Sequence, residues 1–307
     1  MQRFSRRDLL AATAAGTALV HCDNQPKTSQ DTVASGPGVI DFHQHTNYLD
    51  RSDDDLVAHQ RKMGVDLTVL LPAGSRLGLD ARAGRNQSVV SLAERFPAEF
   101  IYFANELPDV PETRAVLEKY LETGAKGIGE QKFPVACDSQ AMQLVYSIAR
   151  EFDVPVLLHF QHDRYNTGIE RFHTMLERFP TVNFIGHAQT WWGNIDQNHD
   201  QSVMYPKTPV EPGGVTDRLL SDYPNVYGDL SAGSGLNSML RDEDHARGFL
   251  ARHQDRLLWA SDCNDSAGNG PDCIGSKGLA AVRRLAPDGD TIDKILAGNA
   301  ARVLKLA

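Results

Sequence analysis

The chain has 307 residues, of which 41% are hydrophobic, and it carries a formal net charge of -9 at pH 7. This hydrophobic content is sufficient for one large core, and the acidic balance disfavours binding to a polyanion such as nucleic acid. Residues 1–21 contribute three arginines and one aspartate, a net of +2, so that the remaining chain carries -11.

The N-terminal segment has the features of an export signal. Three arginines at positions 3, 6 and 7 precede an apolar stretch over residues 9–20, which has the length of a signal hydrophobic region and is too short to span a bilayer. Residues 5–10, SRRDLL, resemble the twin-arginine export signal, which implies a protein exported already folded, often with its cofactor loaded.

A possible acylation site follows the apolar stretch. Residues 19–22, LVHC, resemble a lipoprotein box in which Cys22 becomes the lipidated residue and tethers the protein to a membrane. His21 departs from the pattern, because a small residue is expected before the cysteine, and cleavage without lipidation is the alternative. Residues 1–22 are therefore predicted to be the export signal, 23–38 a flexible polar tether and 39–307 one folded domain outside the cytoplasm, either periplasmic or membrane-anchored.

The folded part contains Cys137, Cys263 and Cys273. An odd number of cysteines in an oxidising compartment allows at most one internal bridge, and Cys263 with Cys273 is the pair close in sequence. Free buried thiols are the favoured interpretation.

Short apolar runs alternate with longer amphipathic stretches along the folded part, a pattern typical of parallel βαβ units. Strands are predicted at residues 39–43, 66–71, 100–104, 125–129, 154–159, 182–187, 226–230 and 256–261. Helices are predicted at residues 53–63, 85–95, 111–123, 139–152, 168–178, 215–222, 239–253 and 276–285. Eight units over 269 residues favour a single-domain α/β fold, the (β/α)₈ TIM barrel. No Gly-rich turn follows the first strand, which argues against an open doubly wound sheet.

Metal-binding side chains recur at the carboxyl ends of the predicted strands, the rim where barrel active sites form. His43 and His45 end the first strand and, being two residues apart, share one face. The complete set at this rim is His43, His45, Glu130, His159, His187 and Asp262. Nitrogen and oxygen ligands in this combination favour Zn²⁺, with Mn²⁺, Fe²⁺ and Co²⁺ as alternatives.

The order His-x-His, Glu, His, His, Asp over eight strands resembles the amidohydrolase superfamily of metal-dependent hydrolases, and residues 298–302, GNAAR, resemble the C-terminal signature of its amidohydrolase-2 branch. In the superfamily a carboxylate or a carbamylated lysine after the fourth strand bridges two metals, and Glu130 matches the carboxylate version. The implied ligands of one ion are His43, His45, Glu130 and Asp262, and those of a second are Glu130, His159 and His187. The alternative is a single ion held by His43, His45, His159 and Asp262, with His187 acting beside it. Two ions are favoured because Glu130 is present.

A bound divalent ion makes water acidic and polarises a carbonyl oxygen. Asp262 would take the proton from that water and pass it to the leaving group, with His187 as the second catalytic candidate. The predicted function is hydrolysis of a small carboxylic ester, lactone or amide. Two alternatives are a decarboxylase of an unsaturated or aromatic acid and a barrel that binds ligands without catalysis, while a nuclease is disfavoured by the acidic charge.

Substrate contacts are expected from the rim loops. Lys132 and Arg164 are candidates to bind a substrate carboxylate, and Trp191 and Trp192 an apolar or ring portion. The long segment 188–212 is interpreted as a lid or substrate wall. The histidines on predicted helices are expected to be solvated, namely His59, His173, His245 and His253. A homo-oligomer is compatible with these features.

Overall fold

The computed structural model describes residues 38–74 and 83–306. The predicted export signal, Cys22 and nearly all of the predicted tether therefore lie outside the described residues. None of the helices in the described ranges is both long and apolar enough to cross a bilayer.

Eight parallel strands lie within two or three residues of their predicted positions. They are β1 (Ile40–Gln44), β2 (Leu67–Leu70), β3 (Phe100–Tyr102), β4 (Ile128–Gln131), β5 (Val156–His159), β6 (Phe184–His187), β7 (Val226–Asp229) and β8 (Leu257–Leu258). Nearly all of their residues are buried, as expected for parallel strands covered by helices.

The strands are hydrogen-bonded in sequence order, first β1 to β3 and then β4 to β8. Backbone hydrogen bonds at two further places join these sheets. Ala104 accepts from the Gly129 amide and donates to the Gly127 carbonyl, at 2.9 Å in both cases, which links the end of β3 to β4. The Asp262 amide donates to the His43 carbonyl at 2.9 Å, which links the end of β8 to β1. The strands thus form the predicted TIM barrel.

The helices cover the outside of the strands, and several begin and end at the predicted signals. They are α1 (Asp53–Met63), α2 (Asn86–Arg95), α3 (Thr113–Glu122), α4 (Gln140–Phe152), α5 (His173–Arg178), α6 (Gln189–Gly193), α7 (Val215–Asp222), α8 (Ala232–Leu240), α9 (Glu243–Arg252), α10 (Ile274–Leu285), α11 (Gly289–Asp293) and α12 (Asn299–Leu304). Ser52 caps α1 by accepting from the Asp55 amide at 3.1 Å, and Gly64 ends it at φ 74°.

Two apolar clusters fill the fold. The larger one lies between the strands and the surrounding helices. The smaller one combines residues of β1, β2 and β5 to β8, with Phe103 just after β3, and the last helix α12, which places it inside the barrel with Val303 and Leu304 closing one end. Polar and charged side chains are left for the opposite end, where the strands terminate.

Candidate metal centre

All six predicted ligands meet at the carboxyl ends of the strands. The histidines and Glu130 are at most 4% exposed, and the Asp262 side chain is 11% exposed. One ring nitrogen of each histidine lies within 3.8 Å of a Glu130 carboxylate oxygen. The rule that barrel ligands stand at strand ends therefore located this group correctly.

Hydrogen bonds fix the orientation of the two histidines of β1. Nδ1 of His43 donates to Asp229 Oδ2 at 2.7 Å, and Nδ1 of His45 donates to the Leu71 carbonyl at 2.7 Å. Because both acceptors lack a proton, the neutral form of each ring has its proton on Nδ1 and its lone pair on Nε2, and these two Nε2 atoms face each other at 3.1 Å. Such a pair repels unless positive charge lies beside it.

Glu130 stands between two groups of nitrogens. Its Oε2 atom lies 3.8 Å from Nε2 of His43 and 3.6 Å from Nε2 of His45. Its Oε1 atom lies 2.5 Å from Nδ1 of His159 and 3.6 Å from Nε2 of His187. Burial alone would raise the pKa of Glu130, but His159 and Lys132 outweigh it and hold that pKa well below the ordinary value. Glu130 is therefore an anion with one oxygen directed at each pair of histidines.

Asp262 faces the same centre from the opposite wall. Its Oδ1 atom lies 3.8 Å from Nε2 of His43 and 3.5 Å from Nε2 of His45, and it is buried with no hydrogen-bond partner. Burial opposes its ionisation, but the histidines outweigh this effect and lower the pKa of Asp262 to about 2. The negative charge of Asp262 raises the pKa of the nearby Tyr48 hydroxyl above its usual range.

Asp229, at the end of β7, is a member of the centre that the sequence interpretation missed. Its Oδ2 atom accepts from Nδ1 of His43 and lies 3.3 Å from Nδ1 of His187, which also contacts the Ser231 hydroxyl at 3.0 Å. Asp229 thus holds two ligands with their Nε2 atoms turned inward. Its signal was present in the sequence, because a carboxylate at the end of a predicted strand is the pattern that located Asp262.

The residues present fit a divalent metal ion. Several electron pairs are directed at one region. They belong to the carboxylates of Glu130 and Asp262, including the unpartnered Oδ1 atom of Asp262, and to the facing Nε2 atoms. Burial disfavours a charged imidazole, yet Asp262 and Asp229 outweigh it and raise the pKa of His43 to about 9, which shows how strongly this region attracts positive charge. Burial lowers the pKa of His159 to about 4, so its ring is neutral and able to bind a metal at physiological pH.

Lys132 and Arg164 lie on one side of the centre. The Lys132 ammonium is 5.9 Å and the Arg164 guanidinium 5.1 Å from the Tyr165 ring, and that ring packs edge-on against His159 with centroids 5.6 Å apart. Lys132 is half-buried and its charge acts on Glu130, whereas Arg164 is exposed. The structure thus brings both cations to the rim beside His159.

Trp191 and Trp192 are placed differently from the expectation, and this is a correction. Both are buried, at 0% and 2% exposure. Trp191 stacks on Phe160 with centroids 5.7 Å apart, and the Trp192 indole donates to the Asp229 carbonyl at 2.8 Å. They pack beneath the rim and support β6 and β7, because the short helix α6 turns them towards the core.

Part of the long segment 188–212 reaches the rim, where Trp191 and Trp192 were expected. Val203, Met204 and Tyr205 are more than 40% exposed. The Met204 sulfur contacts Gln161 at 3.7 Å, and Gln161 lies 3.4 Å from Nε2 of His159. This segment therefore presents an apolar surface near the clustered histidines.

The expectation that helical histidines are solvated is wrong for His59 and His253. They are 0% and 3% exposed, and each is hydrogen-bonded to a neighbouring side chain, Gln60 and Asp217 respectively. Helical position alone did not reveal on which face each imidazole lies.

Comparisons with known proteins agree with this architecture. The model of a family described as amidohydrolase matches residues 40–306. A search of curated proteins finds no match.

Solved structures share the fold at low sequence identity. An amidohydrolase from Burkholderia multivorans with bound zinc is 16% identical, with 88% of this chain and 99% of that chain covered and a TM-score of 0.60. A probable 2-pyrone-4,6-dicarboxylic acid hydrolase from Acinetobacter baumannii is 14% identical, with 88% and 100% covered and a TM-score of 0.59. A 2,6-dihydroxybenzoate decarboxylase is 14% identical, with 88% and 99% covered and a TM-score of 0.57.

Proposed function

Because this chain belongs to the amidohydrolase family, we propose that it is a metal-dependent hydrolase of a small carboxylic ester, lactone or amide. The observation that carries the proposal is the position of Glu130, whose two oxygens face two separate pairs of histidines. A carboxylate placed in this way suits a bridge between two ions, and paired ions suit hydrolytic chemistry.

We assign the predicted ligands to two neighbouring ion positions, and Zn²⁺ is the proposed metal. His43, His45, Glu130 and Asp262 would hold the first ion, and Glu130, His159 and His187 the second. Divalent ions held there would supply an acidic water and polarise the substrate carbonyl.

Asp262 is the proposed proton carrier. Its carboxylate is ionised at neutral pH because its pKa is about 2, and its Oδ1 atom is free to accept a proton from the attacking water. Asp262 then returns the proton to the leaving oxygen or nitrogen.

The rim favours a substrate that carries an anion and an apolar portion. Lys132 and Arg164 provide positive charge beside His159, and Met204 and Tyr205 provide an exposed apolar surface on the adjoining side. Similarity to a structure described as a probable 2-pyrone-4,6-dicarboxylic acid hydrolase supports the choice of an anionic lactone among the substrates to test.

The test is a substrate panel of anionic and neutral esters, lactones and amides, assayed with the zinc-loaded protein. We expect turnover of at least one member, with kcat lowered about 10²-fold to 10⁴-fold in Asp262→Asn.

Lys132→Met should raise KM for anionic members more than for neutral ones. Asp255→Asn, an exposed carboxylate paired with Lys294, serves as the matched control and should leave kcat unchanged. Ligand binding without turnover by any member would instead support a non-catalytic barrel.

A decarboxylase remains the second candidate, and one contact favours it. The 2.5 Å hydrogen bond between His159 Nδ1 and Glu130 Oε1 gives Glu130 a partner without a second ion, which suits the alternative of a single ion held by His43, His45, His159 and Asp262. Metal analysis separates the two candidates. Two ions per chain, with one lost in Glu130→Gln, support the hydrolase, whereas one ion, an active Glu130→Gln variant and release of carbon dioxide from an aromatic or unsaturated acid support the decarboxylase.

We also propose export through the N-terminal signal, with Cys22 as a lipid anchor. The support is the sequence pattern, arginines before an apolar stretch and then a cysteine. A double Arg6→Lys, Arg7→Lys variant should accumulate in the cytoplasm if the signal operates. Cys22→Ala should move the protein from the membrane fraction to the soluble exported fraction, and no change in that fraction would argue against lipidation.

A further inference from the structure

A second cluster of metal-binding atoms lies between α1 and the segment that joins β8 to α10. It consists of His59, Cys263 and Cys273, all buried, with the buried Met63 beside them. The two cysteine sulfurs are 3.9 Å apart, and Cys273 Sγ lies 3.5 Å from His59 Nε2 and 3.8 Å from Met63 Sδ. The thiols are free and not joined in a disulfide.

The hydrogen bonds around His59 determine which ring nitrogen faces the sulfurs. The Gln60 amide nitrogen donates to Asp41 Oδ2 and Thr68 Oγ1, each at 2.8 Å, so the Gln60 amide oxygen must be the atom at 2.9 Å from His59 Nδ1. His59 Nδ1 therefore carries the proton and donates it. The remaining lone pair, on Nε2, points at Cys273, which is the arrangement of a metal-binding histidine held by an outer acceptor.

These separations match a tetrahedral metal site. Bonds of about 2.3 Å to sulfur and about 2.0 Å to nitrogen place two sulfurs about 3.8 Å apart and a sulfur and a nitrogen about 3.5 Å apart. The observed values are 3.9 Å and 3.5 Å. All three ligand atoms lie within 4.8 Å of one another, which groups them around one position.

We propose that His59, Cys263 and Cys273 form a closed site for a thiophilic metal ion such as Zn²⁺ or Cu⁺. Two thiolates and an imidazole select such ions over Mg²⁺, Ca²⁺ or Mn²⁺, and Met63 is placed to be the fourth ligand. The site is distinct from the rim centre, whose donors are nitrogen and oxygen, and it does not depend on the reaction catalysed there.

The site would act on the rim through the backbone that both share. Cys263 directly follows Asp262, and its carbonyl accepts from Gln44 at 2.8 Å and Arg51 at 2.7 Å. On the other side, the Gln60 amide that orients His59 also donates to Asp41. Asp41 accepts in turn from the His43 amide at 3.1 Å. An ion there would fix the segments that carry Asp262 and His43, so its role is structural.

Metal-thiolate absorption tests the proposal, because cysteine is absent from the rim ligands. The reduced, metal-free full chain is titrated with Co²⁺ and with Cd²⁺ while thiolate-to-metal charge transfer is followed in the near ultraviolet. We expect a band that saturates at the amplitude of one thiolate-bound ion per chain, whatever the rim takes up, and that disappears in Cys263→Ser and in Cys273→Ser. Cys137→Ser is the matched control and should keep the band, because Cys137 is buried at a separate place where its thiol donates to the Gly168 carbonyl at 3.2 Å.

The wild-type titration decides the proposal even if a serine variant fails to fold. Absence of the band in a protein whose thiols react as reduced, and whose rim takes up metal, would overturn it. A Cys263–Cys273 disulfide in protein isolated without reductant, seen as a mass lower by two hydrogens, would also overturn it, because the sulfurs would then not be ligands.

Discussion

At the scale of single residues, Asp229 orients two ligands of the rim centre at once. Its carboxylate contacts Nδ1 of both His43 and His187, so both Nε2 atoms are directed at the metal region. We predict that Asp229→Asn lowers the affinity for Zn²⁺ about 10-fold to 100-fold, because the amide loses the negative charge and its NH₂ group must face either the Ser231 amide, which donates to Asp229 Oδ1, or the Nδ1 atoms of the two imidazoles.

Isothermal titration of the metal-free proteins measures this change. Asp288→Asn is the control, since that carboxylate is exposed and only caps α11 by accepting from the Thr291 amide at 2.8 Å. A Zn²⁺ affinity within about twofold of wild type in Asp229→Asn would show that the two histidines are held by other contacts.

Gly186 is the residue that allows Trp191 to pack against β6. A Cβ atom at this position would lie 2.2 Å from the Trp191 ring, which is itself stacked on Phe160. We predict that Gly186→Ala lowers the free energy of unfolding by about 1–3 kcal/mol, because the indole must leave its place in the core.

Denaturant unfolding with a second glycine variant checks this prediction. A Cβ at Gly248, on the exposed side of α9, would meet no atom within 4 Å. Gly248→Ala should therefore raise the stability by about 0.4–1 kcal/mol through the unfolded state. Equal effects of the two substitutions would contradict the packing explanation.

At the scale of elements, a buried carboxylate joins α7 to the end of α9. Asp217 accepts from His253 at 2.6 Å and from Arg252 at 2.9 Å. Burial alone would raise the pKa of Asp217, but the hydrogen bonds from His253 and Arg252 outweigh it and hold the pKa well below its ordinary value. A carboxylate with a depressed pKa in the folded state stabilises the fold above its unfolded pKa, and this contribution is lost as the pH falls through the folded pKa.

We predict that Asp217→Asn lowers the free energy of unfolding at pH 6 by about 1–2 kcal/mol, less than for a fully buried pair because Arg252 is partly exposed. The difference from wild type should shrink as the pH is lowered below about 4, the unfolded pKa of aspartate. Unfolding curves at several pH values measure this difference in the free energy of unfolding. Asp222→Asn, an exposed change on the same helix, is the control. A difference that stays constant down to pH 3 would be inconsistent with this pKa shift.

Elements with strong local signals were predictable, and those set by packing were not. Ser52 and Gly64 delimit α1 in the sequence and in the structure. One helix was predicted over 239–253, but the structure has α8 and α9, separated near Asp242, which caps α9 by accepting from the His245 amide at 3.1 Å. The residues of α8 include Gly233 and Gly235, which have poor helix propensity, so tertiary contacts decide this helix.

At the scale of the whole molecule, the barrel concentrates buried negative charge at one end. Glu130 and Asp229 are at most 2% exposed, and Asp262 faces the same region. Burying charges without an opposite charge is costly, so a bound cation should stabilise the entire fold. We predict that chelation lowers Tm by several degrees and that Zn²⁺ restores it, since a free ion at 100 times its Kd contributes about 2.7 kcal/mol.

Differential scanning calorimetry with and without chelator, after metal analysis of each sample, measures this shift. Adding Mg²⁺ to the chelated protein is the control, because that ion prefers an octahedral shell of oxygens over imidazole. An unchanged Tm after verified loss of all metal would show that the centre is stable without a cation.

The sequence by itself determined the barrel and the convergence of the six predicted ligands at its rim, because each depends on a local pattern. An apolar run followed by a histidine or carboxylate defines a strand and its end, and parallel strands bring their ends together. Only the tertiary structure decided the places of Trp191 and Trp192, the shared role of Asp229 and the cluster of His59 with Cys263 and Cys273. These depend on contacts between distant segments, such as the 214 residues that separate His59 from Cys273, and on which face of a helix meets the core.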